Sequence, residues 1–381
     1  MRWLTAGESH GPGLTIVVDG VPAGLAVEQA LIDADLRRRQ LGYGRGGRMK
    51  IERDTARITG GVRQGRTTGA PIALWVENKD ATNWERVMSA SPVAEPPDAV
   101  TRLRPGHADL AGALKYDHGD DRDVLERASA RETAARVAAG GVARAFLAAV
   151  GTDILSETIR VGLVTSVPTF DRGAVEASEV RCSDGAATAR MVAAIAAAKE
   201  AGDTLGGVTV VRASGVVPGL GTYAQWDRRL DGRIAQALCS IPSAKGVEFA
   251  DAFDAAGERG SAVHDPIERR GAGFGRPRNR AGGLEGGVTN GEDIVVRVAF
   301  KPISTLMKPL PSVDLKTGAA APAHIERSDT CVVPAAGVVA EAMLALVLAD
   351  AVCAKFGEDQ IDDILAAIAR YRERLKPIDG R

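Results

Sequence analysis

Aromatic residues make up only 4% of this 381-residue chain. Its core therefore rests on Val, Leu, Ile and Ala rather than on stacked rings. Cys182, Cys239, Cys331 and Cys353 stand far apart and form no CxxC pair, which argues against zinc-ribbon spacing and a disulfide scaffold. Neither sign of charge is in excess: 48 Lys and Arg face 49 Asp and Glu, for a net charge of -1. Broad electrostatic binding of nucleic acid or of a membrane surface is not expected, and any basic site must be local. There is no G-x-S-x-G elbow, so an acyl-enzyme has no support. The longest apolar run, residues 338–352, contains Glu341 and Asp350 and is too short to span a bilayer; a buried core helix is expected there. The opening MRWLTAGESH reaches Glu8 and His10 too early for a secretory leader, and a reducing cytoplasm is the expected compartment.

Glycine, in contrast, is abundant at 44 residues, pointing to many turns or to close approach of backbone to a ligand. Strands are expected at 14–19 (LTIVVD), in ARITGG and PIALWVEN, and in GGVTVVRASGVV. Helices are expected at 27–40, 130–149, 187–201 and, briefly, 234–239, with an amphipathic helix at about 357–376. Asp33 and Arg37 are spaced for an i, i+4 pair, and Gly42 is placed to close the first helix. Residues 80–107 and 255–280 read as loop. The Asn290-Gly291 pair beside a β-branched run predicts a hairpin. Strands occur throughout, between helices, and no low-complexity linker divides the chain. One α+β domain over residues 1–381 is the reading.

Two glycine motifs are decoys. Gly42, Gly44 and Gly47 match G-x-G-x-x-G, but a helix precedes them, whereas a dinucleotide fingerprint follows a strand. Residues 60–67, GGVRQGRT, mimic a phosphate loop, yet turn and strand follow instead of a helix.

The chemistry gathers elsewhere. Residues 37–50, RRRQLGYGRGGRMK, put Arg37, Arg38 and Arg39 at a helix C-terminus, where the macrodipole favours cations. Arg45 and Arg48 lie beyond it in a glycine-rich loop, where arginine forks and backbone N–H groups can share an anion. Of five histidines, His10 (AGESHG) and His107 (RPGHAD) sit in loops, where catalytic groups concentrate; His118, His264 and His324 are weaker candidates. No spacing suits a metal. The stretches ERASARET, AGGLEGGVTNG, KPISTL and HIERSDT add Arg127, Ser129, Arg131, Lys301, Thr305, Arg327 and Asp329, cation and hydroxyl enough to hold several anionic groups. An RNA-binding module would need more interleaved aromatics than Tyr43 alone. An NAD(P)-linked oxidoreductase would consume reduced nicotinamide in step with product.

AGESHG, RRRxxGYGRGxR, RPGHAD, SARET, DTLGG, AGGLEGGxTNG, KPIST and RSDxCxVPAAGVVxE follow one another in the order found in chorismate synthases. The chain resembles that family from about residue 1 to 356. It departs at Ala128, where a Ser is commoner, and in the compact Arg-rich loop 265–280. The resemblance implies a β-α-β sandwich with helices packed on antiparallel sheets, usually a homotetramer. It implies a lyase of the shikimate pathway. This enzyme takes 5-enolpyruvylshikimate 3-phosphate to chorismate by anti-1,4-elimination of phosphate, using reduced FMN without net redox change. Reduced flavin would come through NADPH or from an external flavin reductase. By the same resemblance, His10 and His107 are the acid pair and Asp329 handles the proton at flavin N5. Arg48 and Arg131 contact substrate, and Arg39 and Arg45 are linked to NADP. Arg127, Ala128, Ser129, Ser243, Ala244, Gly286, Lys301, Pro302, Ile303, Ser304, Thr305 and Arg327 match FMN contacts. A substrate with two carboxylates and a phosphate, beside a second phosphate on FMN, accounts for locally dense arginine in a nearly neutral chain.

Overall fold

The computed structural model describes residues 1–46, 53–271, 273–326 and 328–376. Two antiparallel sheets enclose a layer of helices. Strands β1 (Arg2–Ala6), β2 (Gly13–Asp19), β3 (Ala56–Gly60) and β4 (Ile72–Glu77) form the first, in spatial order β1-β2-β4-β3. Strands β5 (Asp153–Val161), β6 (Val164–Thr165), β7 (Gly207–Ser214), β8 (Ala244–Phe249) and β9 (Ile294–Phe300) form the second, in order β8-β9-β7-β5-β6. Alternation along β2, β4 and β9 gives each of these strands one buried face, while the central strands β5 and β7 are buried over consecutive residues. Leu14, Ile16 and Val18 of β2 are buried and face Val76, Leu74 and Ile72 in register. Ile294, Val296, Val298 and Phe300 do the same for β9.

The principal helices are α1 (Gln29–Gln40), α2 (Asp109–Tyr116), α3 (Arg122–Ala128), α4 (Thr133–Ala149), α5 (Gly185–Glu200), α6 (Leu230–Cys239), α7 (Val333–Phe356) and α8 (Ile361–Leu375). Helix α4 packs on β2 and β4 of the first sheet, α7 packs on β5 and β7 of the second, and the two helices pack on each other. The β-α-β sandwich expected from the resemblance is therefore the observed architecture. Helix α7 is long and apolar enough to cross a membrane, but 89% of its apolar window is buried within the chain, as the reading of 338–352 as a core helix anticipates.

Glycines let these layers approach. A Cβ on Gly140 would lie 2.3 Å from the Ala342 Cβ, and one on Gly337 would lie 2.8 Å from the Ser156 hydroxyl. The layer also holds a charge. Glu341, fully buried on α7, accepts from Arg38 Nη1 and Nη2 at 2.8 Å each, from Arg181 Nη2 at 3.1 Å, and from Arg144. Ser156 N and Oγ donate to it at 2.8 and 2.7 Å. Burial opposes its charge, but Arg38, Arg144 and Arg181 hold its carboxyl well below the usual carboxylate range.

Sequence expectation and structure differ at three places. The tight turn sits at Gly286 and Gly287 (φ +60° and +84°), between the paired strands Leu284–Glu285 and Val288–Thr289, and not at Asn290-Gly291. A type I′ two-residue turn needs positive φ at both positions, which Gly-Gly supplies freely; Asn290 and Gly291 instead lead into β9. The 255–280 stretch contains paired strands Glu268–Arg270 and Gly273–Gly275. Asp33 accepts from Ala56 N at 2.8 Å, tying α1 to β3. The four cysteines are free.

Removing a buried partner leaves the remaining charges uncompensated, at about 3–5 kcal/mol. Glu341→Gln is therefore expected to lower the unfolding free energy by about that amount, read from the denaturant midpoint at unchanged m-value. A loss under about 1 kcal/mol would show that the three arginines do not depend on Glu341.

Candidate active site

At one end of the sandwich, chain crossings surround a cavity of about 460 Å³, within the size range of small-molecule sites. Its floor is apolar: Val332, Ala335, Ala336 and Val339, at the start of α7. Its walls are loops and element ends carrying Ser9, His10, Arg39, Arg45, Arg104, His107, Ala128, Ser129, Arg131, Ser243, Lys301, Ile303, Ser304, Thr305, Glu326 and Asp329.

Each imidazole is backed by a carboxylate. His10 Nδ1 lies 2.8 and 3.0 Å from the two Glu126 oxygens, and its backbone N donates to Glu126 Oε2 at 2.9 Å. Its ring stacks on Trp84 with centroids 3.9 Å apart. Arg122 Nη1 donates to Glu126 Oε1 at 3.0 Å and its guanidinium lies over Trp84. Burial would raise the Glu126 carboxyl, but hydrogen bonds from His10 and Arg122 hold it below its ordinary value.

His107 sits in the RPGHAD turn. Gly106, at φ +81°, lets the chain double back so that His107 N reaches Arg104 O at 3.2 Å. His107 Nδ1 then meets Asp109 Oδ1. Arg104 Nε and Nη2 donate to the same carboxylate at 2.9 and 3.1 Å. Glu326 lies between the two assemblies, 3.5 Å from Arg104 Nη1 and 3.8 Å from Arg122 Nη1. A continuous row of alternating charge thus joins the two histidines.

The third wall is cationic and anchored by Asp54. Arg131 Nη1 donates to both Asp54 oxygens at 2.6 and 2.7 Å. Arg39 donates to Thr133 Oγ1 at 2.9 Å and to Ala130 O at 3.0 Å, while its Nη1 has no hydrogen-bond partner among the described residues and stands 3.5 Å from Asp54 Oδ2. Burial pulls Arg39 down to about 10 against the attraction of Asp54, and the like charges of Arg45 and Arg131 add to that pull. Asp329 accepts from Arg45 Nη1 at 2.7 Å and from Gly46 N at 2.6 Å. Lys301 Nζ donates to Gly106 O, and burial and Lys245 lower its pKa. Thr305 Oγ1 accepts from Arg104 at 3.2 Å. Lys301 N also donates to Ser243 O at 2.9 Å, which brings the 301–305 segment beside Ser243.

The fold therefore collects His10, His107, Asp329, Arg39, Arg45, Arg131, Ala128, Ser129, Ser243, Lys301, Ile303, Ser304 and Thr305 around one space. Arg48 and Arg327 lie outside the described residues. Arg127, Ala244, Gly286 and Pro302 are not in the lining. Arg127 donates to Thr5 O, Thr5 Oγ1 and Gly7 O, binding α3 to the β1 end. Ala244 is the first residue of β8, and Gly286 turns a hairpin beside Tyr223. Residue-level reading passed over Arg104, Asp109, Glu126 and Asp54. The first three stand inside RPGHAD and ERASARET, so the signal was a carboxylate within the same motif as an arginine. Asp54 carries no local signal.

Among the described residues no group of three or more His, Cys, Asp or Glu could hold a metal ion. The fold and cavity define an enzyme that receives a multiply anionic small molecule. The chorismate synthase family profile ("Chorismate synthase") matches residues 1–353. The chorismate synthase of Rubrobacter xylanophilus is 55% identical over 374 residues, covering 97% of this chain and 96% of that one. That of Moorella thermoacetica is 55% identical over 382 residues, covering 99% and 100%. A crystal structure of chorismate synthase superposes with a TM-score of 0.79 at 41% identity, covering 98% of each chain. The chain belongs to the chorismate synthase family. It is a lyase of the last step of the shikimate pathway, eliminating phosphate from 5-enolpyruvylshikimate 3-phosphate to form chorismate, in a family of the flavin-dependent type.

Asp54 is the internal counter-ion for arginines that an external anion would meet. Asp54→Ala is expected to cost about 3–5 kcal/mol. Inorganic phosphate should restore part of that loss, since a ligand bound only to the folded state stabilises it. Melting temperature against phosphate concentration checks this: the variant should climb more steeply than the parent protein, and equal slopes would count against the assignment.

Proposed function

We propose that this cavity binds reduced FMN together with the substrate, and that the two carboxylate-backed histidines deliver the protons of the elimination. The observation that carries the reading is the convergence of two imidazoles, a hydroxyl and cation wall, and an apolar floor on one space. The donor set fits the cofactor: Val332, Ala335, Ala336 and Val339 offer a surface for a planar ring, and Arg39 Nη1, buried beside Asp54 and without a hydrogen-bond partner among the described residues, offers a donor for an anion. When bound, reduced FMN supplies the electron density that cations, hydroxyls, imidazoles and carboxylates lack.

The side chains do the rest. Ala128, Ser129, Ser243, Lys301, Ile303, Ser304 and Thr305 line the cofactor side, with Arg127, Ala244, Gly286, Pro302 and Arg327 carried over from the family's pattern. Arg131 and Arg48 hold substrate anions, and Arg39 and Arg45 receive NADPH when it is the reductant. Fixed before ligand arrives, the cationic wall neutralises phosphate as it departs without needing to reorganise. One histidine gives its proton to the leaving phosphate and the other holds a proton beside the ring, work suited to a group with a reference pKa of about 6.5. Asp329, oriented by Arg45 and Gly46 N, would be the group that accepts a proton from the flavin when it is bound. Residues 1–381 act as a single domain in the cytoplasm and assemble as a homotetramer. Exposed Tyr223 and Trp226 (82% and 78% exposed) support association between copies.

The test is anaerobic turnover followed by chorismate absorbance, comparing oxidised with chemically reduced FMN. Only the reduced form should support turnover, with many chorismates formed per flavin. Equal activity with oxidised FMN, or one flavin oxidised per product, would overturn the reading. NADPH with oxidised FMN would place flavin reduction in this chain if turnover followed; a requirement for added flavin reductase would place it outside. His107→Ala should fold and lose about 10²–10⁴-fold in kcat. Parental turnover in that variant would remove His107 from the acid pair.

A further inference from the structure

Behind His107 stands a second carboxyl that the reaction as described does not use. Asp121, at the start of α3, is fully buried, as is Asp109, and the two side chains are close enough to share a hydrogen bond. Their surroundings are unequal. Asp109 Oδ2 accepts from Arg104 N and Nε, both at 2.9 Å, and Oδ1 from Arg104 Nη2 and from His107 Nδ1. Neither oxygen of Asp121 meets a donor among the described residues. The neighbouring Asp120 turns its carboxylate to Val100 N and Arg122 N, at 2.8 and 2.9 Å. Asp109 draws on the donors of Arg104 and His107, whereas Asp121 is buried with none among the described residues, so a proton shared by the two carboxyls belongs on Asp121.

We propose that Asp121 is a neutral carboxylic acid in the folded protein, donating its proton to Asp109, and that this neutrality lets His107 release the proton it holds. Asp121 is thus a positioning residue, acting through Asp109. Arg104 and Asp109 cancel one another, so the charge of the imidazole changes against a neutral background. An ionised Asp121 would add a second anion behind the ring and retain the imidazolium. The other charges facing this cluster are Glu326, 3.5 Å from Arg104, and Asp120; Arg122 and Glu126 belong to the His10 side. Burial and the Asp109 charge push Asp121 up to about 8, so its proton is present at neutral pH and leaves above that value. The inference rests on His107 acting as an acid, and its direct test does not.

Infrared spectroscopy of the parent protein at neutral pH should show the C=O stretch of a protonated carboxylic acid. The band should fade as pH rises through about 8, and Asp121→Asn should lack it. Absence of the band in the parent protein, or its survival in the variant, overturns the proposal whatever His107 does. If Asp121→Asn does not fold, Asp121→Ser makes the same assignment. In kinetics, Asp121→Asn, neutral and still a donor, should keep kcat within about threefold and leave the alkaline limb of the pH–rate profile in place below about pH 8. A loss of about tenfold or more, or a limb moved to lower pH as the loss of an anion would produce, also overturns it. His107→Ala separates the two ideas: parental turnover there removes the acid while the infrared assignment of Asp121 stands or falls alone.

Discussion

Charge in a low-dielectric interior must be paired where it sits, and both the helical layer and the cavity wall depend on meeting that condition for arginine. Arg38, Arg144 and Arg181 converge on Glu341 inside the helical layer. Arg39 and Arg131 converge on Asp54, Arg45 on Asp329, and Arg104 on Asp109. The first group fixes how α1, α4 and β5 meet around α7. The others hold guanidinium groups rigid at the cavity wall. Their internal partners leave a donor unused, as at Arg39 Nη1 among the described residues, so on the proposed reading an anion would meet a wall whose geometry is already set. The same local neutralisation explains how the chain keeps a net charge of -1.

The second theme is asymmetry between like groups. Both histidines carry a carboxylate on Nδ1, so each presents its other nitrogen outward. Yet His10 is clamped against an indole, and its carboxylate takes a half-buried arginine that also lies over that indole. His107 leans on a turn and on a pair of buried carboxyls. Environments of this kind are what allow two identical side chains to carry different proton traffic in one cavity.

How far was this legible in the sequence? Strand-like stretches made β2, β4 and β7 readable, and β9 showed as the β-branched run after Asn290-Gly291. The amphipathic α8 and the largely apolar α7, broken by Glu341 and Asp350, were equally plain. Strand β8, AKGVEF, was not: its residues are half-buried, with Lys245 and Glu248 along an edge, so no clean pattern survives. The hairpin at Gly286-Gly287 lost to Asn290-Gly291 because both pairs suit a turn and only the pairing register decides. At the site, His10, His107 and the arginines stood out by residue type. Their carboxylate partners did not, since Glu126 looks like any helical glutamate until α3 is laid against the loop after β1. Asp54 is farther still from legible: it acts across 77 residues, on Arg131.

The position of α7 in the chain has a temporal consequence. It supplies the cavity floor and the cover for β5 and β7, yet it comes at Val333–Phe356, after all nine strands named here. During synthesis from the N-terminus, the first sheet can close on α4 early, because both lie within the first 149 residues. The second sheet cannot. Its inner face, including Val211, Val296 and Val298, stays without its covering helix until α7 has left the ribosome. The nascent chain therefore passes through a stage with a finished half and an open apolar sheet, the kind of intermediate that aggregates or recruits a chaperone. Contacts so distant in sequence also close slowly. The feature that gives the mature enzyme its dry floor makes the last fifty residues decide whether the preceding three hundred survive their own synthesis.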